Sequence, residues 1–503
     1  MRSLFRIFDY LDNRDTPKSW RIGSFAFLRL LGFIYCVAFV DLWFQIVPLI
    51  GENGIEPYHV GLQSLSERIG WISVDRIPTI LWFFHEDWIL HVICGCGLVA
   101  SILIMIGVLQ GFSILIAWIL YLSLVNAGGN LISNMGDLLL VEVSVISLLV
   151  APWRIYLPYG KWDQPTRIAR WLFRWLLFRV MFESGVIKIT SEDPIWYPEF
   201  MGMSYYYFTQ AQPNWIAWFF YNLPNSIHKI STLAILGVQL VGSFCILGSG
   251  IYRWIAFSLI SLIQFYFFII GSSGFIHLLI IGLSFFLVDD FSIKKLLHLK
   301  EPNFGTASLK GGRRFPQIAI SSLFLIAIFP GSILNLAKSF YPYWPIPQKV
   351  STLYETKIAP FRIINSYSQL GLVKGKREEI IIQGSMDGFV WKDYELLVKP
   401  GSTYRRPYFM FFHNPRLDSQ FWYLSLGPWH QNFWLVNLMD KVLLSDKRVH
   451  ELFFNNPFPT YPPKYLRAIK QDYVFTSVEE RRRYGDWWKK GVSELYTPVM
   501  SSR

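Results

Sequence analysis

The sequence predicts a membrane all-α bundle of about nine transmembrane helices, followed by a C-terminal extracytoplasmic α+β domain with a β-sandwich core. Three observations predict it. Hydrophobic residues make up 52 % of the 503 positions and charged ones only 16 %, with a mean hydropathy of +0.32, a balance shifted from soluble domains towards membrane proteins. The apolar excess is gathered into runs separated by loops in which Lys and Arg collect. Past residue 340 the long runs give way to strand-like alternation and then to helical spacing.

Residues 1–24 come first and carry Arg2, Arg6, Arg14, Lys18 and Arg21, which the positive-inside rule holds in the cytoplasm. The run at 25–50 follows, long enough at about 1.5 Å per residue to cross a hydrocarbon layer roughly 30 Å thick. It lacks a small-residue cleavage site after a short apolar core and continues through Trp43 and Phe44, so it reads as an anchor and not a signal peptide. Comparable runs recur at 88–109, 112–126, 137–150, 171–189, 230–248, 254–271, 274–288 and 316–336. Several fall short of about 20 residues and must borrow flanking residues, lie aslant or be partly re-entrant.

Counting crossings places Arg154, Lys161, Arg167 and Arg170 inside after the fourth, and Lys294, Lys295, Lys300, Lys310, Arg313 and Arg314 inside after the eighth. A ninth crossing ends the transmembrane domain, 25–340, and delivers residues 341–503 to the outside. The net charge of +12 therefore reports topology, not nucleic-acid binding. All four cysteines, Cys36, Cys94, Cys96 and Cys245, fall in apolar runs, so no disulfide supports the exported domain. The sequence has no Asn-x-Ser/Thr acceptor, which favours a bacterial inner membrane over an endoplasmic reticulum membrane.

Pro330, Pro342, Pro345, Pro347 and Pro360 make the connector to the exported domain incompatible with one helix. Residues 378–401 alternate apolar and polar positions around Met386-Asp387-Gly388, a β-hairpin pattern. From about Ser425 the spacing is helical, giving helices that can pack back on the membrane part.

Charged side chains inside a bilayer cost about 2.5–3.5 kcal/mol each on insertion scales and require partners or a purpose. Arg179 and Glu183, four apart, share a helix face; their pair either makes the span insertable or contributes to a site. Lys188, at the extracytoplasmic end of the same span, either snorkels to the headgroups or, withdrawn from water, serves as a base. Asp137 and Glu142 stand about 140° apart on a helix, so each needs a partner from another span. With Arg29 and His277 they form the buried polar set of the membrane part; His277 reads as a hydrogen-bonded core histidine or a proton carrier. In the exported domain His413, Asn414, Pro415, Arg416, Leu417 and Asp418 form a rigid binding loop or a turn fixed by a local Arg416–Asp418 pair. Trp422, Tyr423, Trp429, Phe433 and Trp434 suit a protein-binding or membrane-interface surface. The sequence carries no metal-ligand spacing, Walker loop, GxSxG elbow or dinucleotide fingerprint, and no cofactor is assigned.

Several strings together resemble the lipase maturation factor family: Gly51–Leu62, Tyr121–Glu142, Arg174–Trp196, Thr209–Pro224, Ser273–Asp290, Glu378–Glu395, HNPRLD from His413 and NNPFP from Asn455. Their order and spacing match from about Trp20 to Tyr473. The resemblance implies a multi-span membrane protein that helps secreted lipases, or other exported clients, to fold, with His413, Arg416, Asp418 and Trp422 on a client-binding surface. The chain departs from the family where FQWD is replaced by Asn134, Met135, Gly136 and Asp137, and where LDWQMW is replaced by Leu417, Asp418, Ser419, Gln420, Phe421 and Trp422. Gly185–Ile189 followed by Trp196 is similar to a segment of vitamin-K-dependent carboxylases, in which Lys188 falls on the base lysine. That likeness implies a second reading, a membrane-embedded enzyme with Lys188 as base and Glu183 or Arg179 tuning it.

Overall fold

The computed structural model describes residues 19–156, 164–271, 274–297, 314–341, 344–345 and 347–501. Arg2, Arg6, Arg14, Lys18, Lys161, Lys300, Lys310, Arg313 and Pro342, on which the topology and connector readings partly rest, lie outside the described residues.

Every apolar run forms helix: α1 Arg21–Ile50, α2 Trp88–Ile106, α3 Gln110–Ala127, α4 Met135–Ser147, α5 Arg167–Thr190, α6 Asn225–Leu236, α7 Ile251–Ile270, α8 Ile276–Ser284 and α9 Arg314–Phe340. Among the described residues, six are by themselves long and apolar enough to cross a membrane: α1, α2, α3, α6 with its continuation to Ile246, α7 and α9. The other three depart for physical reasons. α4 has 13 residues and α8 nine, while α5 has 24 but carries Arg170, Arg174, Arg179, Glu183 and Lys188 at buried positions. These three occupy the middle of the bundle, where protein and not lipid surrounds them; all but two of the α4 residues are buried.

α4 begins in a capping box: the Asn134 side chain accepts from the Asp137 N–H, and the Asp137 carboxylate accepts from the Asn134 N–H at 2.9 Å. α5 begins at Thr166, whose hydroxyl accepts from the Ala169 N–H at 3.1 Å. These starts set the axial position of the charges discussed below.

The C-terminal part holds one antiparallel sheet of five strands, β1 Arg377–Ser385, β2 Lys392–Tyr394, β3 Tyr465–Phe475, β4 Trp488–Leu495 and β5 Met500–Ser501, ordered β2-β1-β3-β4 with β5 beside β3. β1 and β2 form the anticipated hairpin, with Gln383 opposite Asp393. The expected β-sandwich does not appear among the described residues: helices, not a second sheet, cover both faces of the central strand β1 and parts of β3, while β4 is exposed beyond Trp488. Ile380, Ile382, Leu466 and Ala468 join the large core that includes α10, Arg416–Leu424, and α11, Phe433–Leu443. Ile381, Tyr473 and Phe475, on the other face, pack with Met203, Tyr207 and Trp218 from the segments between α5 and α6. A strand covered on both sides reads as a near-continuous apolar run, as Ile380-Ile381-Ile382 does.

The two parts interpenetrate. Phe412 lies 5.7 Å from Phe33 in α1 and 5.5 Å from Phe268 in α7, ring to ring, so an aromatic loop of the C-terminal part lies along the flank of the bundle. One apolar core runs without a break from Phe27 to Ala468.

Candidate functional site

Three polar assemblies lie where the C-terminal part enters the bundle, and between them they take in Asp137, Glu142, Arg179, Glu183, Lys188 and His277. In the first, Arg179 of α5 donates to Glu142 of α4 at 2.8 Å and pairs with Glu183 one turn on at 3.4 Å, all three side chains being fully buried. One guanidinium cannot neutralise two carboxylates. The deficit is met by Asn365–Tyr367, which follow the connector: the Asn365 N–H (2.9 Å), its side-chain amide (3.0 Å) and the Tyr367 hydroxyl (2.7 Å) donate to Glu142, and the Tyr367 N–H donates to Glu183 at 2.6 Å. The Asn365 carbonyl in turn accepts from Arg179. Four donors from the C-terminal part thus converge on the two buried acids and supply the hydrogen bonds that burial takes away from them.

In the second assembly, Arg416 at the start of α10 makes a bidentate pair with Asp137 and lies 3.8 Å from Asp41 of α1. Asp137 also accepts from the Tyr121 hydroxyl of α3. His413 pairs with Asp41, which accepts the Asn414 N–H at 3.1 Å, and Gln45 accepts the Arg416 N–H at 2.8 Å. Gln212 reaches the same loop, donating to Ser419 at 2.8 Å and to Asn414 at 3.1 Å. The guanidinium fork meets a carboxylate in the geometry that gives arginine its advantage over lysine.

The local Arg416–Asp418 pair does not form. Arg416 turns to the bundle, whereas Asp418 accepts the backbone N–H groups of Val398 (2.7 Å) and Lys399 (3.1 Å). Arg416, Asp418 and Trp422 are all buried, Trp422 donating to the Thr209 carbonyl at 2.6 Å, so these three bind within the chain and present no client-facing surface. Only His413 of the four retains substantial exposure.

Burial pushes the Asp418 carboxyl up to about 6, against the opposing pull of its two backbone donors. A carboxyl raised in the folded state holds its proton where the unfolded chain has lost it, so its contribution to stability falls as pH rises from about 4 to about 6. Asp418→Asn keeps an oxygen to accept both N–H groups but does not titrate. Thermal unfolding in detergent across pH 4 to 7 is expected to show the variant gaining on the wild type as pH rises, by about 2–3 kcal/mol in total.

The third assembly is a cavity of about 170 Å³ between α5, α7 and α8, roofed by Leu370, Leu372, Val373, Trp422 and Tyr423 of the C-terminal part. Lys188 and His277 both line it. The Lys188 ammonium donates to the Ser184 carbonyl at 2.8 Å and hydroxyl at 3.2 Å and lies 5.2 Å from the Trp196 ring centroid. It does not snorkel: it is 4 % exposed. Arg179 and Glu183 belong to the first assembly and do not touch it; five residues along a helix turn Glu183 about 140° away from Lys188. The roof fits closely, since a Cβ on Gly371 would come within 2.5 Å of the Ser184 carbonyl oxygen.

The buried polar set therefore divides: Asp137 and Glu142 go to separate clamps, and His277 goes to the cavity. Arg29 is half-buried and donates to the Ile104 carbonyl at 2.9 Å, at the end of α2. Residues that sequence reasoning missed are Asn365, Tyr367, Tyr121 and the glutamines Gln45, Gln212, Gln239 and Gln264. An amide inside an apolar run was a readable signal for Gln45, Gln239 and Gln264; Asn365 and Tyr367 lie in an aperiodic, proline-flanked stretch with none.

Comparison with known proteins matches residues 23–295 to the lipase maturation factor transmembrane domain and residues 363–498 to the lipase maturation factor C-terminal domain. The chain is 30 % identical to lipase maturation factor 1 of Bos taurus, over 97 % of this chain and 92 % of that protein. It is 28 % identical to lipase maturation factor 1 of Homo sapiens, over 97 % and 90 %, and 27 % identical to lipase maturation factor 2 of Xenopus laevis, over 95 % and 82 %. No solved structure matches it. Both clamps join one matched stretch to the other.

Proposed function

This chain belongs to the lipase maturation factor family, and from that premise we propose that it is a membrane-anchored maturation factor for exported lipases, engaging them through its C-terminal domain as they fold. The observation that carries the reading is an apolar tip on that domain. Met386, Phe389 and Val390, on the β1–β2 turn, are 41 %, 87 % and 63 % exposed. The turn is held open by Asp387, whose carboxylate accepts the N–H groups of Phe389 (2.8 Å) and Val390 (2.9 Å) and the Ser385 hydroxyl (2.9 Å). Apolar side chains fixed in this way meet the uncovered apolar surface of a folding client with little further ordering cost. In this reading the N-terminus is cytoplasmic, the sheet domain is extracytoplasmic, lipid surrounds the outer helices, and the compartment is a bacterial inner membrane.

The test is co-expression of the full-length, affinity-tagged chain with a secreted lipase of the same source. The lipase is expected to co-purify, and Phe389→Ser with Val390→Ser to lower both its recovery and the secreted lipase activity severalfold without changing the melting temperature of the membrane protein. Undiminished recovery would overturn the client surface. A cysteine at Asp387 should react with an impermeant reagent only from outside; labelling from the cytoplasmic side would overturn the orientation.

A further inference from the structure

The cavity holding Lys188 has a composition that the maturation reading does not use. Its walls are mostly apolar and aromatic, yet three polar residues that line it have unused hydrogen-bonding capacity. Lys188 spends its described contacts on Ser184, leaving one of three N–H groups, and among the described residues no carboxylate pairs with it. The Gln264 amide nitrogen faces the Met181 sulfur at 3.7 Å, so its oxygen meets His277 Nδ1 at 2.7 Å; Nδ1 carries the proton, and Nε2 is left as a buried acceptor without a partner. Gln239 donates to the Ser184 hydroxyl at 3.2 Å, and its oxygen too is buried and unpartnered.

Buried polar groups left unpaired are costly. One amine with a free donor position and two acceptors, set in carbon-rich walls, define what would satisfy them: an acid group for the lysine, a hydroxyl or N–H for the acceptors, and an apolar body between. A volume of about 170 Å³ fixes the size, since an apolar protein cavity of about 150 Å³ accommodates a benzene ring. We propose that this cavity binds a small, carbon-rich organic acid that also carries a hydroxyl or N–H donor, held by Lys188 through its acid group and by His277 and Gln239 through its donor. Because Trp422, Tyr423 and Leu370 form the roof, the occupied site also braces the C-terminal part against the bundle. The proposal stands apart from lipase maturation, and lipase co-purification measured in parallel keeps the two distinguishable.

The experiment uses the full-length protein in mild detergent and three probes: 4-hydroxybenzoate, benzoate, which lacks the donor, and phenol, which lacks the acid. Trp196 and Trp422 at the wall make tryptophan fluorescence a direct readout. Saturable quenching is expected in the order 4-hydroxybenzoate, then benzoate and phenol, with Lys188→Met weakening 4-hydroxybenzoate about tenfold or more and leaving phenol unchanged. Gln239→Leu should narrow the gap between 4-hydroxybenzoate and benzoate. Absence of saturable binding to the wild type, or phenol binding as tightly as 4-hydroxybenzoate, overturns the proposal without recourse to any variant. Should Lys188→Met melt early, Lys188→Gln and the wild-type probe order decide the question.

Discussion

Arg179→Met is expected to be among the most damaging single substitutions in the molecule. It removes the cation from between Glu142 and Glu183, two carboxylates that are fully buried, and leaves them facing each other with only the donors of Asn365–Tyr367. Breaking one partner out of a buried ion pair costs about 3–5 kcal/mol, because the remaining charge stays desolvated. Thermal unfolding of the detergent-solubilised protein should show a large fall, and limited proteolysis should find new cuts near residues 348–366. Tyr367→Phe is the control. It deletes one of several donors to Glu142 and should cost only about 1 kcal/mol. Equal losses for the two variants would mean that the charge balance described here does not hold the segment.

Arg416→Leu should have an effect of the same size through the other clamp, leaving Asp137 and Asp41 unneutralised at the head of the bundle. Arg416→Lys is not expected to rescue it. A point charge on a flexible stem cannot serve both Asp137 oxygens and the Ile132 carbonyl together, as the planar fork does. Arg416→Leu combined with Asp137→Asn should recover part of the loss by removing the stranded charge, a coupling a double-mutant cycle would read directly. Additive losses would show that the two side chains do not interact.

The helices of the bundle were legible because length and apolarity are local properties. Which runs are long enough to span was less so: α4, α5 and α8 carry apolar runs, yet packing at the centre relieves them of the length and purity that lipid demands. The β1–β2 hairpin followed from its alternation and its Asp-Gly turn, whereas the sandwich did not form, since what covers a sheet is decided by chain segments far away. The same division runs through the charges. Arg179 with Glu183 was readable from a spacing of four, and the need of Asp137 and Glu142 for outside partners from the helix angle. Glu142 did find one on a neighbouring helix, but Asp137 found Arg416, 279 residues on, and no periodicity links the two. HNPR carried enough polar density to mark it as important, and its binding partner proved to be the chain itself.

The clamps also bear on the order in which the molecule can be made. A ribosome delivers α4 to the bilayer long before it reaches Asn365 or Arg416, which lie 223 and 279 residues beyond Glu142 and Asp137. Until those residues have been synthesised and have docked on the helices, the acids at the centre of the bundle lack the donors that settle them. An unfinished chain thus keeps in its membrane-embedded portion a polar defect that only the last third of the polypeptide repairs. Completion of synthesis is thereby written into the electrostatics of the helical bundle.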